Sequence, residues 1–114
     1  MSCCPEPQIV TVTTCNTFNT DQAAGDTPPG PVLIFSQATG SPSGYVTLTN
    51  FNASGDDANV STDSTGLNII ATANPDNSVT VYVESLQELY VFSSTTGIQV
   101  LGQVTVQAIQ TSRP

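Results

Sequence analysis

Short runs of Val, Ile and Thr, cut by turn residues every eight to twelve positions, constrain this 114-residue chain more than anything else in it. No segment carries a convincing apolar period of 3.6 residues, so the pattern is that of strands, with side chains alternating at period two. The first strand is predicted near Gln8–Cys15, where Ile9, Val10 and Val12 mix with Thr. A polar loop is expected from Asn16 through Pro31, with Asp26-Thr-Pro-Pro-Gly-Pro31 as its breaker. Val32–Ser36 is a continuous apolar run, which predicts burial on both faces or at the sandwich centre. After a turn at Gly40–Gly44, Tyr45–Phe51 alternates, with Tyr45, Thr47, Thr49 and Phe51 on one side and Val46, Leu48 and Asn50 on the other.

The second half continues the theme. A weak strand around Ala58–Ser61 precedes one at Leu67–Thr72, and Asn74-Pro-Asp-Asn77 is a strong turn signal. Beyond it Val79, Val81 and Val83 share one face, while Thr80, Tyr82 and Glu84 share the other. Leu89–Phe92 and Ile98–Ile109 complete the set, and Gly102 in the middle of the last strand predicts a bulge or bend. Eight strands fit an all-β, two-sheet jelly-roll sandwich better than an open sheet. A seven-stranded immunoglobulin-like sandwich is the close competitor. Its usual disulfide and buried Trp cannot form, because every Cys lies within the first fifteen residues and Trp is absent. The expected organisation is one jelly-roll domain over residues 8–114, preceded by an extended connector arm over residues 1–7.

Charge excludes whole classes of function. One Arg and no Lys face nine acidic residues, for a net charge of -8. A chain so poor in cations cannot neutralise phosphates, which argues against nucleic-acid binding and against docking on anionic membranes. There is no apolar run of roughly 18 residues to span a bilayer, so no membrane insertion is expected. No secretory leader is recognisable either, which implies release by another route, such as lysis of the producing cell, or retention. Charged residues make up 9% of the chain, well under the ~25% usual for soluble domains, and Ser, Thr, Asn and Gln take their place at the surface. Such a surface suits repeated packing of neutral faces.

Enzymatic chemistry is poorly supplied. With neither His nor Lys, no Ser-His, Cys-His or Ser-Lys nucleophile can be assembled. Glu84 and Glu88 are a conceivable acid/base pair, but their spacing at a strand junction reads as solvated surface. Asp57, Asn59, Ser61 and Asp63 alternate as calcium-binding oxygens do. An EF-hand's Gly and Glu are replaced here by Thr62 and Asn68, so the segment reads as an Asx-rich turn. The aromatic residues Phe35, Tyr45, Phe51, Tyr82, Tyr90 and Phe92 fall within alternating strands and are expected in the core. No catalytic residue, cofactor or metal is expected.

The cysteines are the distinctive feature. Cys3 and Cys4 sit at the tip of an arm stiffened by Pro5 and Pro7, and Cys15 follows ten residues later. Three is odd, so at least one sulfur pairs outside its chain or stays free. Adjacent residues of an extended arm point to opposite sides, so Cys3 and Cys4 can reach two different neighbours. Inert thiols in a reducing compartment are one alternative. Zinc is another, although three thiolates without His leave a tetrahedral site incomplete. The residues favour pairing outside the chain.

A Cys-Cys arm, a Cys in the first body strand, and a Thr/Val-rich body of eight strands together resemble the endospore appendage pilin subunits of spore-forming bacteria. The resemblance extends through Ser43–Thr49, Asn77–Val83, Glu88–Phe92 and Val104–Ser112 in pattern, and the cysteine arrangement is its distinctive part. It implies a jelly roll whose connector inserts into subunits of a neighbouring ring or helical turn and cross-links them into a spore-surface fibre. Cys3 and Cys4 would be donor thiols and Cys15 an acceptor. The partners would be copies of the same chain, with an anchor protein of the spore coat or exosporium as a further one. One departure stands out: the helical class of these fibres has an acceptor Cys in the last strand, and Val100–Val104 has none. The alternative expectation, from a different class, is a β-sandwich module that binds carbohydrate or caps a surface structure. It predicts a saturable ligand and indifference to loss of Cys3 and Cys4.

Overall fold

The computed structural model describes residues 8–26, 30–37 and 42–112. The connector arm with Cys3, Cys4, Pro5 and Pro7 lies outside the described residues, as does Arg113. Eight strands run in the order β1 (Gln8–Thr20), β2 (Val32–Ser36), β3 (Ser43–Asn50), β4 (Ala58–Ser61), β5 (Ile69–Ala73), β6 (Asn77–Val83), β7 (Glu88–Ser93) and β8 (Val100–Ser112). They form two four-stranded sheets, ordered β1-β8-β3-β6 and β2-β7-β4-β5, and every named strand pair is antiparallel. The described residues contain no helix. The protein is an all-β sandwich. Apart from β4 and β5, each strand lies in the opposite sheet from the one before it, so consecutive connections cross the core rather than close hairpins.

The core is built by alternation. Val46 and Leu48 on β3, and Val104, Val106 and Ala108 on β8, point inward from the first sheet. Ala58 and Val60 on β4, Ala71 and Ala73 on β5, and Leu89 and Val91 on β7 meet them from the second. Each buried Val or Leu contributes about 1.5–3 kcal/mol relative to exposure. The alternation read from sequence for β3 and β6 holds: Val46, Leu48 and Asn50 are buried, and Val79, Val81 and Val83 pack against the core while Thr80 and Tyr82 face solvent. The Asn74–Asn77 turn is also as expected. Asn77 N donates to Asn74 O at 3.1 Å, with Pro75 second and Asp76 third at φ 68°, the arrangement of a type II turn.

Four expectations need correction. β1 does not stop at Cys15 but pairs with β8 without interruption as far as Thr20↔Val100, because Phe18 supplies an inward apolar side chain that the polar stretch conceals. β2 is not buried on both faces. It is an edge strand bonded only to β7, and Val32 and Leu33 stay 44% and 48% exposed. Gly102 marks no bulge, since register passes through it unbroken against both Phe18 and Asn50. A Cβ there would stand 2.0 Å from Thr49 O and 2.7 Å from Phe18 Cζ, so the missing side chain serves close packing. Finally, Tyr45 and Tyr82 are exposed rather than core, because Val46, Leu48, Val79 and Val81 already fill the inner side of their strands, and Phe51 is exposed in the turn just past β3.

β4 is buried on both faces. Ala58 and Val60 look into the sandwich. On the opposite side Asn59 is covered and satisfied, its Nδ2 donating to Ser94 Oγ at 3.0 Å and its Oδ1 accepting from Thr72 Oγ1 at 2.7 Å. The segment after β1 folds back beside this face, with Ala23 bridged to Ser93 and Gly66, at φ +76°, lying close to the Phe92 ring.

Candidate functional site

Cys15 occupies the outer face of β1, an edge strand of the first sheet, and its thiol is exposed and unpaired. Its register partner on the last strand is Thr105, whose Oγ1 donates to Cys15 Sγ at 3.5 Å. The same rung continues to Thr47 and then Thr80, which share a hydroxyl hydrogen bond of 2.9 Å. One rung along lie Thr17, Gln103, Thr49 and Ser78, the last two joined at 2.8 Å. On the other side come Thr13, Gln107, Tyr45 and Tyr82, whose rings meet edge-on with centroids 5.4 Å apart. None of these twelve residues is charged. The carboxylates of the described residues lie instead on loops and at strand ends, at Asp21, Asp26, Asp56, Asp57, Asp63, Asp76, Glu84 and Glu88. Cys15 therefore sits on a hydroxyl-rich face whose three central rungs carry no charge.

The open side between β1 and β2 is tied locally, by Asn16 Nδ2 donating to Ile34 O at 3.0 Å. In the segment Val100–Thr105, Val100 and Val104 are core, Gly102 packs on Phe18, and Thr105 is the β8 residue beside Cys15. No sequence signal pointed to Thr105. It emerges from the register alone.

The alternating oxygens of Asp57, Asn59, Ser61 and Asp63 do not converge. Asn59 bonds to Ser94 and Thr72, Ser61 Oγ donates to Asp63 O at 2.8 Å, and Asp57 Oδ1 accepts from Asn74 Nδ2 at 2.8 Å. Asp63 organises its own loop, its carboxylate accepting from Thr65 Oγ1, from Leu67 N at 3.2 Å and from Asn68 N at 2.9 Å. The Thr65 hydroxyl first, and the Asn68 amide next, hold its carboxyl below the ordinary 3.8. Among the described residues no three His, Cys, Asp or Glu side chains group as metal ligands do.

Glu84 and Glu88 are exposed, as expected, but they are not isolated. They line a cleft of about 500 Å³ at the edge where β5 and β6 meet, together with Thr62, Asn68, Ile70 and Tyr82. Tyr90 lies nearby. Partial burial, then the Glu88 carboxylate, which accepts its hydrogen bond, raise the Tyr90 phenol above 10.0. Sequence spacing identifies the two glutamates but not the cleft, because its walls come from two separated segments, 62–70 and 82–88.

No protein-family model matches the sequence, and neither does any curated protein. The fold does find a likeness among solved structures, in a chain from work described as "Bacillus endospore appendages form a novel family of disulfide-linked pili". The two superpose with a TM-score of 0.61 at 14% identity, covering 95% of this chain and 96% of that one. The chain shares the fold of an endospore-appendage pilus. No helix among the described residues is long and apolar enough to cross a membrane.

Proposed function

We propose that this protein is a non-enzymatic structural subunit that polymerises with copies of itself into a disulfide-linked fibre on the spore surface. Its strand order is read as a jelly roll, β1-β8-β3-β6 over β2-β7-β4-β5, with residues 1–7 as a connector arm. The arm's Cys3 and Cys4 are the donors, and Cys15 of a neighbouring copy is an acceptor. Each bond consumes two thiols and releases two protons, with two electrons passing to an oxidant such as dioxygen or a small-molecule disulfide. An anchor on the spore coat or exosporium is the expected second partner.

The observation that carries this reading is the placement of Cys15. An exposed, unpaired thiol on the outer face of an edge strand, set in an uncharged face, is open to a sulfur from outside the chain. Like-charged copies meet at least cost where no carboxylate lies, since repulsion between loops elsewhere is screened beyond ~8 Å at physiological salt. The pilus fold of the structural relative and the Cys-Cys arm point the same way. An arm-into-neighbour contact is heterologous, so it closes into rings or runs on as a filament. Electron microscopy of the oxidised, purified protein tests this. Filaments that disperse on reduction are expected, and discrete globules with freely alkylated thiols overturn it.

A further inference from the structure

We propose that the cleft at the β5/β6 edge is a binding site for a neutral hexose or N-acetylhexosamine unit. It lies at the far edge of both sheets from β1 and β2, and Tyr82 is the one residue of its lining that also belongs to the outer face carrying Cys15. A pyranose presents a flat C–H face and a rim of hydroxyls that donate and accept, and each needs its own counterpart. For the apolar face the cleft offers Tyr82, 54% exposed, with Ile70 beside it. The Tyr82 ring packs edge-on against Tyr45, with centroids 5.4 Å apart, a contact that restricts its rotamer. For the hydroxyls it offers Glu84 and Glu88, whose carboxylates accept from adjacent hydroxyls, and the side chains of Thr62 and Asn68. Asn68 is fixed in place: its N donates to Asp63 Oδ1, and its Nδ2 donates to Thr62 Oγ1. A concave site with one aromatic wall and a few convergent polar groups is the usual form of a small-ligand pocket.

Charge selects the kind of sugar. The chain has a single Arg and no Lys, and two carboxylates line the cleft, so uronic, sialylated or phosphorylated sugars are repelled. Uncharged units remain.

The test is titration of the full chain, held reduced and unassembled, with cellotriose and with N-acetylglucosamine trimer, followed by amide chemical shifts. Working on reduced protein keeps the outcome independent of whether the chain forms fibres. Expected are saturable shifts at residues 62–70 and 82–88, with polygalacturonate trimer giving none. Tyr82→Ala is expected to weaken binding roughly tenfold or more. Tyr82→Phe retains it, and Glu84→Gln with Glu88→Gln weakens it while leaving the spectrum otherwise folded. Three results overturn the proposal: no shifts with either neutral trimer, shifts that survive Tyr82→Ala unchanged, or binding confined to a polyamine such as spermidine and abolished by salt.

Discussion

Asn50 is the polar side chain on which two loops depend. It is fully buried, its Nδ2 donates to Asp56 O and to Ala73 O, each at 2.9 Å, and the residue's main-chain carbonyl accepts from Asp76 N at 2.8 Å. Asn50→Asp would replace that double donor with an acceptor facing two carbonyls in a place water does not reach. The expected loss is about 3–5 kcal/mol at neutral pH, the cost of an uncompensated buried charge. Urea denaturation of the reduced protein measures it, and the loss should shrink on acidification as the new carboxyl takes up a proton. Asp63 behaves in the opposite sense. Its folded value lies below 3.8, so its contribution to the 62–68 loop is complete above that value and is lost as pH falls through the lower, folded one. An acid titration should therefore move the Leu67 and Asn68 amide resonances with a midpoint below the ordinary 3.8, and Asp63→Asn should abolish that step.

At the level of single strands, Gly102 shows how close packing disciplines a sandwich. Gly102→Ala drives a methyl into Thr49 O and the Phe18 ring, a backbone atom on one side and a buried aromatic on the other. Destabilisation of about 3 kcal/mol or more is expected, with β1 and β3 both strained against β8, and a denaturant midpoint measures it. The sequence marked Gly102 as special but attached the wrong cause, since a missing side chain in a strand signals bulges and close approaches alike. Strands whose inner and outer positions differ in polarity, β3 and β6 above all, could be read residue by residue. β2 could not: four of its five residues are apolar whichever face they turn, and its place at a sheet edge is decided by pairing that lies far off in sequence. The end of β1 was hidden for a related reason. Asn16, Thr17, Asn19 and Thr20 look like loop, and only Phe18 among them reports the core. The β5/β6 cleft needs residues 62–70 and 82–88 brought together, and no local spacing encodes that.

For the molecule as a whole, the question is what joins one copy to the next, and the uncharged face around Cys15 offers a sharp answer. If its thiol receives an arm cysteine from a neighbour, Cys15→Ser removes the junction without disturbing the fold, because the side chain is exposed and Ser is its near-isostere. Non-reducing gels of the oxidised wild type are expected to show a ladder or material too large to enter, and a single band after reduction. Cys15→Ser should lose the ladder while keeping the wild-type urea midpoint within about 0.5 kcal/mol, as surface substitutions generally do. Noncovalent packing by itself cannot mimic the wild-type pattern, since detergent disperses neutral faces but leaves S–S bonds intact. A ladder undiminished in Cys15→Ser would assign the cross-links to Cys3 and Cys4 bonded arm to arm, and the face around Thr105, Thr47 and Thr80 would then have no part in joining the subunits.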